Sequence, residues 1–267
     1  MTLSIPTHRA HRIAVSAFFF IAGFSFASWA SRIPDIKMKL DLSEAGLGSV
    51  LFALPMGLMV SMPFAGFLVA RFGSRRILIT AALLYPIVLI LLGLAATFWQ
   101  LAAVLFLFGF CGSILNISIN TQAVGVEALY GRSIMASFHG LWSLAGFTGA
   151  AVGTLMISIH LTPFVHYCIV CAASFLLAFI TYKYTLPHQS GSDSQPIFAR
   201  PDNALLKLGM IAFGCLVCEG TMFDWSGVYF QKVVKVQSSY TTVGYVAFMS
   251  SMAAGRFIAD KLVTKFG

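Results

Sequence analysis

Two carboxylates, Glu219 and Asp224, stand five residues apart inside an otherwise apolar run from about Leu205 to Tyr229. An Asp at the centre of a membrane helix costs about 2.5–3.5 kcal/mol on insertion scales, so acids are kept there where they face a cavity or a partner. Glu219 reads either as a carboxylate on a solute path, carrying a proton or accepting hydrogen bonds, or as a structural acid bonded to a neighbouring helix. Asp224 has the same two readings. Five residues turn a helix by about 140° net, so an unbroken helix would aim the two acids apart. Gly220 and Gly227 are placed to let the helix unwind locally around them.

Asn116 and Asn120 are four residues apart, hence on one helical face, and suit hydroxyl groups of a solute or bonds to a neighbouring helix. His139 is a proton-relay candidate or a satisfied core histidine. Trp29 and Trp225 fall near the ends of their runs, where interfacial anchoring is expected and stacking on a sugar ring competes with it. The chain has no HExxH or GxSxG, so no enzyme is expected. Its two CxxC pairs, Cys168 with Cys171 and Cys215 with Cys218, lie in apolar runs without a hydrophilic knuckle; neither a metal nor a cofactor is expected.

The elements that must hold these residues are membrane helices. The chain is 58% hydrophobic and 10% charged, with a mean hydropathy of +0.87. A soluble domain cannot carry that composition. Eight apolar windows are long enough to cross a bilayer as helices: Ile13 to Ser31, Gly46 to Ala70, Ile77 to Thr97, Leu101 to Ile119, Ile134 to Ile159, Pro163 to Tyr182, Leu205 to Tyr229 and Tyr240 to Ile258. The runs are continuous rather than alternating, which argues against a β-barrel. The first run ends in "ASWAS", which lacks a clean small-x-small cleavage site, and seven further runs follow, so it is read as a retained helix.

With the N-terminus in the cytoplasm, 12 of the 17 basic residues face inward and Arg32, Lys37, Lys39, Lys232 and Lys235 face outward. The net charge of +8 then reflects basic loops against an anionic leaflet, and no nucleic-acid partner is expected.

A polar stretch, "LPHQSGSDSQPIFARPDNA", separates the sixth run from the seventh. It divides the chain into a six-helix bundle over 1–186, a cytoplasmic linker over 187–204 and two helices over 205–267. Sliding the sequence by 196 residues superposes Trp29 on Trp225, Gly48 on Gly244, Val50 on Val246 and Phe52 on Phe248. That is the mark of two parallel repeats, the second starting at the linker. Four further helices would complete the second repeat, so a C-terminally truncated product or fragment is expected.

The loop after the second run, "GFLVARFGSRR", resembles the signature loop of the major facilitator superfamily. Gly66, Arg71, Gly73, Arg75 and Arg76 match it, and Ala70 stands where the family usually has Asp. A second copy after the eighth run keeps Gly255 and Asp260, with Lys261 in place of Arg. The physics fits: Gly66 would let helices approach closely, Gly73 would permit a tight turn, and the basic residues would hold the loop inside. In the family this loop latches the two halves together.

"EGTMFDWSGVYF", "SFHGLWSLAGFTGA" and "GFSFASWASRIPDIKMKL" resemble a bacterial inner-membrane branch related to the fucose permease and other sugar/proton symporters. Those relatives carry acids in helices 1 and 4, where this chain has none, so their mechanism does not transfer. The fifth run holds Gly146, Gly149 and Gly153, which should pack tightly against a neighbour. It lacks the proline usual in drug antiporters of the superfamily.

The resemblance implies an all-α polytopic membrane protein of the major facilitator fold, working as a monomer in the bacterial inner membrane. Its function would be secondary active transport of a small polar solute by alternating access, with proton coupling. A non-transporting receptor or structural membrane protein, and a drug or metabolite exporter, are the alternatives.

Overall fold

The computed structural model describes residues 8–187 and 202–266. Most of the expected linker, 188–201, lies outside the described residues, as do the side chains of Asp260 and Lys261. The described chain is built from α1 (His8–Ala30), α2 (Ile33–Lys39), α3 (Glu44–Leu51), α4 (Ala53–Phe72), α5 (Ser74–Leu94), α6 (Phe98–Tyr130), α7 (Met135–Ser158), α8 (Pro163–Thr181), α9 (Asn203–Tyr229) and α10 (Val243–Phe266). Short connections make the successive long helices from α4 to α8 antiparallel. One end of the bundle carries Arg9, Arg12, Arg71, Arg75, Arg76, Arg132 and Lys183 and is called the basic end below; the other is the far end.

Among the described residues seven helices are long and apolar enough to cross a membrane, against eight expected. The eighth, α10, offers a shorter apolar stretch, Val243–Ala259, among the described residues.

Local chemistry sets the boundaries. Thr97, Thr162 and Asp202 cap α6, α8 and α9, each side-chain oxygen accepting a backbone N–H three residues on. Gly73 turns α4 into α5 with φ +83°, a conformation that side chains resist. The expected second helix is split at Phe52 because Pro55 has no N–H for the Leu51 carbonyl.

The fourth expected helix ended at Ile119; α6 instead continues to Tyr130. Its polar residues are satisfied locally: Thr121 Oγ1 donates to the Ile117 carbonyl (2.9 Å) and Asn120 Nδ2 to the Asn116 carbonyl (2.9 Å). Asn116 and Asn120 therefore sit in the middle of the helix, not towards its end. The unwinding expected at Gly220 and Gly227 does not occur, since α9 is unbroken and its irregularity is a π-turn further on, Phe230–Val234.

Packing places α1 at the heart of the first bundle, against α7, α8, α6 and α5. Trp29 is 1% exposed, so the expected interfacial anchor is a core residue. Ile33 and Ile36 of α2 are buried in the same core cluster.

Helix α7 is wedged between α1 and α10. A Cβ at Gly149 would lie 2.8 Å from Ala27 Cβ, and one at Gly146 would clash with Met249 of α10. The tight packing expected of this glycine motif is present. At Gly66 it is absent: a Cβ there would meet open space among the described residues, because the buried face of α4 runs through Gly57, Ser61, Ala65 and Val69 and leaves Gly66 on another side.

Arg32, expected in an outer loop, is also buried. Its guanidinium donates to Asp35 Oδ2 (2.5 Å), the Leu161 carbonyl (2.7 Å) and His166 Nδ1 (3.3 Å), tying α1, α2 and α8 together at the far end. At the basic end, fully buried Gln122 performs the matching role through Ser74 Oγ (2.8 Å) and both backbone groups of Leu186.

Candidate functional site

A cavity of about 310 Å³ opens within the first bundle, between α1, α4, α5, α6 and α7. Its walls carry the rings of Phe26, Tyr85, Phe108 and Trp142, and its main amide is Asn116. Tyr85 and Phe108 stack at 4.2 Å between ring centroids. Asn120, one turn on, donates its amide to Asn116 Oδ1 (2.6 Å), which fixes the Asn116 side chain. Asn116 Nδ2 then remains to donate to a solute oxygen. An apolar, aromatic pocket with one or two fixed polar groups is the ordinary form of a small-molecule site.

Trp142 joins this cavity to α9 and α10. Its ring lies 6.0 Å from Phe26 and 5.9 Å from Phe223, and Phe223 in turn meets Phe26 at 5.4 Å. Over the Trp142 ring, 5.7 Å from its centroid, sits the guanidinium of Arg256. Arg256 donates to Ser143 Oγ (2.8 Å) and the His139 carbonyl (3.5 Å), both on α7, and reaches Glu219 Oε1 at 3.5 Å. Each side chain of the Arg256–Glu219 pair is 27% exposed.

Arg256 is expected among the inward basic residues, and the structure makes it a partner of α7 and α9. The signal was available: Arg256 falls inside the apolar run from Tyr240 to Ile258, and α10 continues well past it, which makes it a residue of the helix body.

The other expected residues are distributed around this pair. His139 packs its ring edge-on against Phe19 at 5.2 Å, while its carbonyl receives Arg256. Asp224 lies on α9 between Phe223 and Trp225, half-buried and five residues nearer the far end than Glu219. Trp225 packs against Gly48 of α3, with a Cβ at that glycine 3.6 Å from the indole. Glu219 also lines an open cleft between α9 and α10, together with Cys215, Cys218 and Phe248.

Of the loop residues, Arg71 lies over the rings of Phe67 and Phe72, and Arg75 donates to the Tyr182 carbonyl at 3.4 Å. Arg76 is exposed beside them. In the second copy nothing lies within 4 Å of a Cβ at Gly255 among the described residues, and the Asp260 side chain is outside them.

At the far end the two stretches meet through several contacts. Lys232, just past α9, bonds Glu44 of α3, which Lys37 Nζ also reaches at 3.4 Å. Thr154 of α7 bonds Thr242, and Gly227 packs against Pro34.

The chain is similar to several known proteins. An uncharacterised transporter, y4wD, of Sinorhizobium fredii is 33% identical over 260 residues, covering 95% of this chain and 68% of the relative. An uncharacterised MFS-type transporter of Yersinia pestis is 31% identical over 258 residues, covering 97% of this chain and 67% of the relative. Membrane protein MosC of Rhizobium meliloti is 30% identical, covering 95% of this chain and 62% of the relative.

The crystal structure of the nucleoside transporter NupG superposes with a TM-score of 0.67 at 16% identity, over 95% of this chain and 66% of that one, a likeness of fold. The chain thus spans about two thirds of the length of these relatives. The family model of the Major Facilitator Superfamily matches residues 13–267, and with the fold and these relatives it establishes that the chain belongs to the major facilitator superfamily.

Proposed function

We propose that this protein carries a small polar solute across the bacterial inner membrane by alternating access, with the solute held between the Asn116 cavity and the Glu219–Arg256 pair. The observation that carries the reading is that pair: two opposite charges inside membrane helices, stretched to 3.5 Å and partly open to space. Membrane-embedded charges are costly to keep, and their usual return is a solute or ion path.

The first unit, 1–186, supplies the aromatic cavity; the second, 205–267, supplies the charges; the stretch 187–204 joins them. The N-terminus lies in the cytoplasm, in keeping with the basic end. The far-end contacts through Lys232 and Thr242 close the passage on that side. On the basic side, α9 is exposed from Asn203 to Val217. The protein acts as a monomer, needs neither metal nor cofactor, and couples solute movement to a proton held by Glu219. Asp224, His139 and Trp225 border that route.

The test is uptake of labelled polar solutes into proteoliposomes containing the protein, at several external pH values. Solute accumulation that responds to pH, and loses that response in Glu219→Gln, is the expected result. Absence of uptake across a panel of neutral and charged solutes would leave a receptor or structural role as the better reading.

A further inference from the structure

Arg256 lies within the body of α10, over the Trp142 ring and beside the acid of α9. Its partners leave it underused. Charge-assisted N–H···O bonds to carboxylates run at about 2.7–2.9 Å and are often two-pronged. The contact to Glu219 is single and 3.5 Å long. A short bond of 2.8 Å goes to the neutral hydroxyl of Ser143, and the His139 carbonyl is at 3.5 Å. The ring beneath it, Trp142, is itself a wall of the cavity that Asn116 serves.

A planar fork of donors beside an aromatic wall fits a carboxylate attached to a flat or ring-shaped body. We infer that the solute is a small organic acid, whose carboxylate takes Arg256 from Glu219 while its body lies against Trp142 towards Asn116. The inference rests on the solute-transport reading above and narrows its substrate class.

Glu219 has a definite part in this arrangement. Two carboxylates cannot share one half-buried guanidinium without mutual repulsion, so the charge on Glu219 competes with that of the solute. Neutralising Glu219 leaves Arg256 free for the solute, whereas a neutral sugar or nucleoside gains nothing from its removal. This opposes the effect expected of a structural acid, whose loss would only weaken the site.

The test is binding to the 267-residue chain in nanodiscs, followed by tryptophan fluorescence and by the thermal midpoint. The probes are matched pairs, benzoate with benzamide and glucuronate with glucose, which share a body and differ in charge. The acid of at least one pair should bind about tenfold more tightly than its neutral partner, the usual worth of a charge-assisted bond. Arg256→Lys should lower acid binding by about tenfold, since a point charge replaces the fork. Glu219→Gln should strengthen it, a gain that misfolding cannot produce.

Equal binding of the neutral partner, acid binding unchanged in Arg256→Lys, or weaker acid binding in Glu219→Gln overturns the inference and leaves the transport reading standing. No binding by any of the four probes overturns the inference as well. The transport reading is then decided by the uptake panel alone.

Discussion

The Arg256 guanidinium lies over the Trp142 ring while its outer nitrogen reaches Glu219, so one side chain of α10 ties the aromatic cavity of the first bundle to the acid of α9. That relationship makes α7, α9 and α10 a single polar unit within an apolar bundle. It also predicts how the protein responds when either charge is removed.

Glu219→Ala should lower the thermal midpoint, because Arg256 then keeps its charge without a counter-ion. Both partners are about a quarter exposed, so the cost is about 1–3 kcal/mol, below that of breaking a fully buried pair. The double variant Glu219→Gln with Arg256→Gln should recover part of that loss. Thermal denaturation of the detergent-solubilised protein measures both.

Asn116→Leu should reduce solute affinity with little change in stability, since Asn116 is exposed to the cavity and bonded chiefly to Asn120. One lost hydrogen bond is worth about 0.5–1.5 kcal/mol, roughly threefold to tenfold in affinity. Asn120→Ala should act in the same direction and more weakly, by freeing the Asn116 side chain to rotate. Uptake kinetics compared with the thermal midpoint separate the two effects.

Arg32→Met should be among the most damaging single changes in the first bundle. It leaves Asp35, the Leu161 carbonyl and His166 without their shared donor at a site only 2% exposed. Breaking such a buried network costs about 3–5 kcal/mol. Lower yield of monodisperse protein and a large drop in thermal midpoint are the expected readouts.

Reversing the charge of either Glu44 or Lys232 should weaken the far-end contact between the two stretches, and reversing both should restore it. The effect at equilibrium is small and screened by salt, because both groups are solvent-exposed. Its measure is the accessibility of a cysteine placed at Thr154, beside Thr242 under the same contact. Labelling should rise in each single reversal at low salt and fall back in the double.

Gly149→Val should destabilise the α1–α7 contact, where even a Cβ would lie 2.8 Å from Ala27 and 3.0 Å from the Phe24 carbonyl. Overpacking of this kind costs about 1–3 kcal/mol. Gly66→Val, by contrast, should be tolerated, as no described atom lies within 4 Å of a Cβ at that position. Thermal midpoints of the two variants, measured side by side, test the distinction.

Membrane helices were readable one by one because crossing a bilayer demands a long apolar run, and that demand is local. Seven runs became long spanning helices on this ground, with ends set by nearby residues such as Gly73 and Thr162. The superfamily was legible for a similar reason: its loop is a short contiguous motif. Errors arose where a polar residue could extend a helix rather than end it. Asn120, Thr121 and Gln122 looked like a terminus and are instead bonded within α6 or to its neighbours.

The partners of the charges were not legible. Arg32 is expected in an outer loop and Arg256 among the inward basic residues, yet one is buried at the far end and the other is paired to Glu219 across 37 residues of sequence. Hydropathy sums the chain and has no term for which face of one helix meets which face of another.

From sequence alone came the all-helical membrane architecture, the family and the candidate acids of α9, because insertion energy and short motifs are written in consecutive residues. Tertiary structure alone decided that Glu219 answers to Arg256, that Trp29 is core and Trp142 lines the cavity, and that Asn116 faces it. Those facts depend on the packing of α7 between α1 and α10, and such contacts join residues that no local rule connects.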